Sequence, residues 1–450
     1  MNKPLIAIDG YNLGLDQGTG VATYARNLSF RLAALGADVG VLYGQRVAKS
    51  KDPILREITF FDPRPPAPPG FPLIRDIRQI GRLLAGERAL EVPVDGWVIR
   101  DQLEARLPYF DRLWSIPDLW RGGALTHANT KLFGNAVLPQ TPRVVHWTYQ
   151  LPLRVQGVPN IYTLHDLVPL RLPYATLDHK RRQYRMLTRI AREAAHIVTV
   201  SEASKRDIMS LLGVPEERIT NTYQAVDIPR KLSEKPEDVA RAEIEGSFGL
   251  GWKGYFLFFG AIEPKKNLAR LIEAYLASGV EAPLVICGRQ AWDAERELAL
   301  LYEDDVSERD KDGRMQGRTL KRKLRDRIIL LDYAPFRLLV SLVRGAKAVL
   351  FPSLYEGFGL PVLEAMHLGT PVMTSNTASL PEVAGDAALL VDPYDTRAMA
   401  EAIQALDRQP ELRADLAARG PKRAALFDNA AYERRLVDLY AKLGVQLGAR

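Results

Sequence analysis

Strand-like and helix-like segments alternate along this chain in two successive series, which predicts an α/β protein of two doubly wound domains. Three observations carry that expectation. Short apolar runs rich in β-branched and aromatic residues recur, each followed by a segment of helical spacing. A polar, charged stretch with no clear strand, residues 229–250, separates the two series. The length of 450 residues suits two domains better than one.

The first series opens with PLIAID (residues 4–9), a loop containing DQGTG (16–20), a helix over about 21–35 and a strand, DVGVLYG, from residue 38. Between about 50 and 122 the alternation breaks down. Six prolines fall between Pro63 and Pro72, and the basic amphipathic stretch FPLIRDIRQIGRLLAG follows from Phe71. Regular pattern resumes with RVVHWTY (143–149), NIYTLHD (160–166), a long helix to about 195, and HIVTVS (196–201). The second series places strands at YFLFFG (from 255), PLVICG (283), RIILLD (327), AVLFPS (348) and PVMTS (371). The charged segment 303–327 reads as a solvated loop or surface helix, and a last helix covers about 431–443. The expected division is an N-terminal domain over 1–228, a linker over 229–250, a C-terminal domain over 251–425 and a terminal helical segment over 426–450. Open parallel sheets bind ligands at the carboxyl ends of their strands. Two such sheets with those ends facing each other would enclose a cleft.

Composition narrows the class further. Hydrophobic residues make up 47% and charged residues 26%, as in soluble proteins with substantial cores. No run approaches the roughly 20 apolar residues of a membrane span. The first residues lack the basic, apolar and cleavage regions of a signal peptide. Cys287 is the single cysteine, so no intrachain disulfide forms and a reducing cytoplasm is expected. The net charge of +7 is uneven: residues 1–250 hold 33 Lys and Arg against 27 acids, and residues 251–450 hold 28 against 27. A basic N-terminal half suits an anionic partner. No nucleic-acid module is recognisable, so an anionic lipid surface is expected instead.

The richest segment is FPSLYEGFGLPVLEAMHLGTP, residues 351–371. An apolar strand leads in and an amphipathic helix follows, with Pro361 suited to the first helical position. Gly357 and Gly359 permit unusual backbone conformations and close approach of a ligand. A helix start there presents amides and partial positive charge, which suits an anion. Glu356 and Glu364 flank that site. A phosphate between two carboxylates suggests a sugar nucleotide, with diphosphate on the amides and hydroxyls on the acids.

With those residues in view, SLYEGFGLPVLEAM resembles the signature of retaining GT-B glycosyltransferases of family 4, in which two glutamates are separated by seven residues. Further pieces follow in the family's order: GTG after the first strand, YTLHDLVPLRLP around His165, VSEASKRDI, FGAIEPKKNLARLIEAY and LPEVAGDAALLVDP. The resemblance covers about 1–45 and 140–445 and is greatest to bacterial mannosyltransferases that build capsule, exopolysaccharide or O-antigen. It implies two Rossmann-like domains facing an interdomain cleft, the N-terminal one for the acceptor and the C-terminal one for the nucleotide sugar, with the last helix packing back on the N-terminal domain.

The resemblance also implies roles. Glu364 would bind the ribose hydroxyls and Glu356 would lie at the donor sugar near its reacting carbon. The amides of Phe358, Gly359 and Leu360 would contact sugar and diphosphate. Lys266, with Lys265 beside it, would stabilise the departing phosphate. His165 would hydrogen-bond the donor hexose, and Gly18 and Gly20 would approach the donor phosphate or the acceptor. Many relatives carry an Arg just after the strand glycine where this chain has Ala261; Arg289 after PLVICG is the candidate to replace it.

Each feature has a plainer reading. Glu356 and Glu364 could be a loop acid and a helix-start acid, Lys265 and Lys266 a solvated pair, and His165 or His146 a buried structural histidine. The helix after His165 carries Arg171, Lys180, Arg181, Arg182, Arg185, Arg189 and Arg192, and Arg75, Arg78 and Arg82 interleave with Ile74, Ile77, Ile80 and Leu83. Such faces are either solvated or suited to an anionic membrane. Asp310 and Asp312 spell a DxD in a polar stretch with no strand leading in, and read as chance.

The expected function is a metal-independent retaining hexosyltransferase with no cofactor beyond its nucleotide-sugar substrate. It would move mannose from GDP-mannose to a polyprenyl-diphosphate-linked glycan, as a peripheral protein on the inner face of the cell membrane. A UDP-hexose donor or a soluble acceptor is the alternative. More distant rivals are a dinucleotide-dependent oxidoreductase, opposed by the missing third glycine in GTGVAT, and a silent glycan- or nucleotide-binding protein.

Overall fold

The computed structural model describes residues 3–14, 20–48, 50–62, 72–96, 98–99, 107–309, 315–321, 324 and 326–448. The chain divides into two compact units. Met1–Leu167, His179–Ala225 and Asn429–Arg450 form the first; Val168–Asp178 and Val226–Asp428 form the second.

The strands of the first unit are β1 (Leu5–Asp9), β2 (Asp38–Tyr43), β3 (Glu87–Arg88), β4 (Leu90–Glu91), β5 (Arg112–Ser115), β6 (Gly134–Val137), β7 (Val144–Trp147), β8 (Leu153–Val155), β9 (Asn160–Thr163), β10 (His196–Thr199) and β11 (Ile219–Asn221). Eight of them form one sheet in the order β11-β10-β9-β7-β1-β2-β5-β4, parallel except where β4 meets β5. A small parallel sheet, β3-β6-β8, stands beside it. β1 is central, with Ile6 opposite Val39 on one side and Val144 on the other. Strands β7 and β10 are buried at every position, as apolar strands covered on both faces must be.

The second unit holds β12 (Phe256–Phe259), β13 (Leu284–Cys287), β14 (Tyr302–Arg309), β15 (Met315–Leu320), β16 (Ile328–Leu331), β17 (Ala348–Phe351), β18 (Val372–Ser375) and β19 (Leu389–Val391). Its six-stranded sheet runs β16-β13-β12-β17-β18-β19 and is parallel throughout. β12, β13, β17 and β18 are wholly buried.

Four segments differ from the sequence-based expectation. Residues 229–250, expected as a linker, fall within the second unit, where Arg230–Ser233 and Glu237–Phe248 are helical. Ala240 and Ile244, four apart, bury one face, and Lys235 joins Glu243 at 2.6 Å and Ser341 at 3.0 Å. The charged segment after residue 302 is an antiparallel hairpin, β14 with β15, rather than a loop or helix; Asp310 and Asp312 lie outside the described residues. The long helix toward residue 195 is broken into Val168–Arg171, a turn at Pro173–Ala175 and Lys180–Glu193. Pro173 accounts for the break, because the residue before a proline is driven out of the helical region, and Leu172 adopts φ −124° and ψ 70°. Within the irregular region 50–122, Pro53–Phe61 and Pro72–Ala85 are helices, the latter packed on the helix Leu119–Thr130.

The last helix, Asn429–Lys442, packs within the first unit. Arg31 pairs with Glu433 at 3.0 Å, and Tyr440 Oη lies 2.9 Å from His146 Nδ1. Among the described residues, no helix is long and apolar enough to cross a membrane.

Candidate active site

In the second unit the site grows from the carboxyl ends of three adjacent strands, β13, β12 and β17. Gly260 follows β12 with a φ of 136°, closed to side chains, and Gly288 follows β13, where a Cβ would lie 1.7 Å from the Gly260 carbonyl oxygen. Only glycine lets these two chains separate so closely. The Gly260 exit leads through Glu263 to a single turn, Pro264–Lys266, capped by Asn267 at φ 61°. Asn267 Nδ2 donates to the carbonyls of Pro352 (3.1 Å) and Pro393 (2.7 Å), and the Leu354 amide donates to the Lys265 carbonyl (2.8 Å). The lysine turn is thereby stitched to the loop after β17.

That stitching brings Lys266 to Glu356, 90 residues away, with Nζ 2.5 Å from Oε1. Both are buried, and the ammonium also lies 4.9 Å from the centre of the Phe351 ring. Burial pushes the Glu356 carboxyl up, but the charges of Lys266 and Lys265 outweigh it and hold the group below its ordinary value. Lys265 turns to Glu263 at 3.5 Å.

Glu364 has the opposite environment. It sits one turn into the helix Leu360–His367, partly buried, and among the described residues no protein group donates to its carboxylate. Burial, with no compensating charge, pushes it up to about 7. Gly359 caps the helix at φ 104°, and a Cβ there would meet Leu380 at 2.7 Å. Leu360 is the first helical residue and Pro361 the second, one place later than expected. Proline in the first turn still costs no hydrogen bond. No protein acceptor meets the amides of Gly359 and Leu360 among the described residues. The Phe358 ring is buried edge-on against Phe427, 5.6 Å between centroids.

A row of hydroxyls fixes this loop, and sequence reasoning missed it. Thr374 Oγ1 donates to the Phe351 carbonyl (2.9 Å), Ser375 Oγ to that of Ser353 (2.6 Å), and Thr377 Oγ1 to that of Leu354 (3.1 Å). Buried Ser379 lies 2.9 Å from the carbonyls of both Glu356 and Phe358. The clue was the run TSNTAS (374–379) beside the glutamate loop. Arg289 is exposed at the end of β13, and its carbonyl accepts the Ile262 amide at 2.9 Å, next to Ala261.

In the first unit, polar groups gather at the ends of β1, β7 and β9. Asp9 accepts the amides of Tyr11 (3.1 Å) and Thr148, and burial pushes its carboxyl up to about 6. His165 Nε2 lies 2.9 Å from the Thr148 carbonyl, which assigns the proton to that nitrogen. Burial lowers the imidazole's pKa. The ring is neutral, and Nδ1, buried with no partner, is an available acceptor. Tyr11 stacks on Tyr149 at 5.8 Å and meets Trp120 edge-on at 5.5 Å, an aromatic group that the sequence reading did not single out. His146 is structural: its ring nitrogens meet Tyr440 and Thr163 at 2.9 and 2.8 Å, and burial pushes its pKa down to about 3. Gly20 opens the helix Gly20–Ala34; Gly18 lies outside the described residues.

The second unit thus sets a glycine-capped helix start between a paired and an unpaired glutamate, an arrangement that suits an anion carrying hydroxyl groups. Comparison with known proteins agrees. Residues 242–423 match the family Glycosyl transferases group 1, and residues 83–230 match Glycosyltransferase Family 4. The O-antigen chain mannosyltransferase B of Escherichia coli is 34% identical over 288 residues, covering 62% of this chain and 68% of that protein. The O-antigen chain mannosyltransferase RfbU of Salmonella typhimurium is 28% identical over 281 residues, 62% and 67% of the two chains. In fold, the chain is similar to Anabaena HepE, solved with UDP and glucose, with a TM-score of 0.62 at 14% identity over 98% of this chain and 100% of that one. The chain belongs to the family 4, group 1 glycosyltransferases and has the GT-B fold.

Proposed function

We propose that this glycosyltransferase moves a hexosyl unit from a nucleoside diphosphate to a growing bacterial surface polysaccharide, with retention at the anomeric carbon. The observation that carries the reading is the contrast between the two glutamates. Glu356 is buried, ionised and held by Lys266; Glu364 is unpaired beside a glycine-capped helix start. Glu364 and the Gly359 and Leu360 amides are assigned to the nucleotide, as a handle for ribose hydroxyls and diphosphate. Lys266 and Lys265 supply fixed positive charge to the departing diphosphate, and Arg289 adds to it from the neighbouring strand end. Glu356 lies at the sugar and stabilises the positive charge that develops on its ring.

In this transfer the bond from C1 to the phosphate oxygen breaks, the acceptor oxygen bonds C1 on the same face, and the acceptor's proton passes to the departing phosphate. The protein's task is orientation and charge compensation. His165, neutral with Nδ1 open, accepts a hydrogen bond from a substrate hydroxyl, and Gly20, at the start of the helix Gly20–Ala34, approaches the donor phosphate or the acceptor. With lysines meeting the phosphate charge, the transfer needs no metal ion. The names of the two O-antigen chain mannosyltransferase relatives support mannose as the hexose and a surface polysaccharide as the product. GDP-mannose as donor and a glycan carried on a polyprenyl diphosphate as acceptor are the finer parts of the proposal. The exposed apolar and basic helix Pro72–Ala85 supports peripheral attachment to an anionic membrane.

The test is a panel of GDP-, UDP- and dTDP-hexoses scored for released nucleoside diphosphate, with and without EDTA. GDP-mannose is expected to dominate and EDTA to leave the rate unchanged. Glu356→Gln is expected to lower kcat roughly 100- to 1000-fold with little change in KM. Glu364→Gln is expected to weaken donor binding about 10-fold or more, for the loss of a charged acceptor. Unchanged kinetics in both variants would overturn the assignment.

A further inference from the structure

The helix Lys180–Glu193 buries Leu187, Ile190 and Ala191 and turns Arg185, Arg189 and Arg192 to another side. These arginines fall at i, i+4 and i+7, the spacing that aligns side chains on one helical face. Together with the last turn of Leu119–Thr130 and its cap residue Lys131, they line an open cavity of about 360 Å³, which His127 and Tyr184 also line.

Its members are not equivalent. Arg189 is fixed: it donates to the Lys131 carbonyl at 2.6 Å, pairs with Glu193 at 2.5 Å and lies 5.4 Å from the centre of the Phe133 ring. Among the described residues no protein group meets the guanidinium of Arg185 or Arg192, and both are exposed. His127 is 3% exposed, yet its Nδ1 has no hydrogen-bond partner. The lining is mostly carbon, although four of its residues, Lys131, Arg185, Arg189 and Arg192, carry positive charge. A carbon lining beside cationic groups matches an anion joined to a hydrocarbon, and guanidinium groups suit phosphate oxygens in particular.

We propose that this cavity binds the phosphate group of an anionic lipid, with Arg185, Arg192 and Lys131 on its oxygens and the adjoining hydrocarbon on the carbon lining. This rests on the reading of an anionic lipid as partner, and it assigns that partner a defined seat in the first unit. A bilayer glycerophospholipid and a polyprenyl phosphate share the chemistry.

The test is co-flotation of the full chain with phosphatidylcholine vesicles containing either phosphatidylglycerol or a polyprenyl phosphate, with inorganic pyrophosphate as a soluble competitor. The double variant Arg185→Ala/Arg192→Ala is expected to bind about 30-fold more weakly, since each basic residue near an anionic surface contributes about fivefold. Arg230→Ala/Lys231→Ala, an equal charge change on exposed residues of the second unit, is expected to bind like wild type. Binding to phosphatidylglycerol identifies bilayer lipid as the source, binding only to polyprenyl phosphate identifies a glycan carrier, and either supports the proposal. An equal loss in both double variants would reveal diffuse surface charge and overturn it. So would an unchanged Arg185/Arg192 variant, failure of wild type to bind either vesicle, or full displacement by pyrophosphate. Release of nucleoside diphosphate from the donor without vesicles is read in parallel. It is expected to be unchanged in both variants, so failure of the lipid seat leaves the transferase reading standing.

Discussion

At the scale of single residues, the candidate site sets one glutamate against another by environment alone. Glu364, raised to about 7 in the ligand-free protein, holds a proton over much of the range in which a free carboxyl is ionised. Its raised value favours the folded state below the ordinary carboxylate range, and that contribution is lost as pH rises through about 7. A carboxylate accepting ribose hydroxyls must be ionised. Nucleoside diphosphate binding is therefore expected to tighten as pH rises toward 7, with a proton released, and Glu364→Gln is expected to flatten that part of the profile. Isothermal titration in buffers of different ionisation enthalpy measures both. Glu356 behaves oppositely: its folded value is depressed, so its contribution is present above the ordinary carboxylate range and lost as pH falls through the folded value. Lys266→Met leaves that buried carboxylate uncompensated and is expected to cost about 3 kcal/mol or more. The double variant Lys266→Met/Glu356→Gln removes both charges and is expected to regain most of the loss while remaining inactive. Urea unfolding of the three proteins decides it, and a double variant no more stable than the single one would mean that the pair is not the stabilising contact.

At the scale of elements, the strand–loop–helix units were legible because their signals are local. The apolar runs of β12, β13, β17 and β18 have lengths typical of strands, glycine marks the exits of β12 and β13, and proline marks the helix start after Gly359. The hairpin β14–β15 was not legible, since its charged residues mask any alternation. The helix Glu237–Phe248 was missed because few apolar positions show in a charged segment, although Ala240 and Ile244 suffice to dock it. The Ser and Thr contacts to the glutamate loop were illegible for another reason. They join residues 21 to 23 positions apart through single hydrogen bonds, and no periodicity announces them. Gly288 belongs to this scale, because it sets the distance between two strand exits. Gly288→Ala places a methyl group against the Gly260 carbonyl, which no rotamer change relieves. The expected cost is about 3 kcal/mol, at the upper end for overpacking, or a fall of roughly 6–12 °C in the midpoint. Gly246→Ala, in a helix with open space around it, is expected to be neutral or mildly stabilising in the same thermal scan.

At the scale of the whole molecule, charge and apolar exposure concentrate toward the N-terminal half. The excess of six basic residues over 1–250 was countable from the sequence. Which apolar residues remain uncovered was not, because helical spacing alone does not say which face a neighbour takes. In the helix Pro72–Ala85 the structure buries Leu83 and Gln79 and leaves Leu73 72% exposed, with Ile74 and Ile77 beside it. Pro53–Phe61 likewise exposes Ile54, Leu55 and Ile58. Attachment to an anionic bilayer is then expected to have two parts with different responses to salt. The charge part fades as the screening length falls from about 10 Å at 0.1 M salt to about 3 Å at 1 M. Burial of Leu73, Ile74 and Ile77 in the interface does not fade, and added salt leaves it intact or strengthens it. Flotation with phosphatidylglycerol vesicles across that salt range is expected to show binding that declines to a plateau above zero. Leu73→Glu/Ile77→Glu alters only exposed positions, so the fold is expected to be unaffected. It is expected to abolish the plateau while preserving part of the low-salt binding. Loss of all binding at 1 M salt in the wild type would leave charge as the sole contact and remove these two helices from the attachment surface.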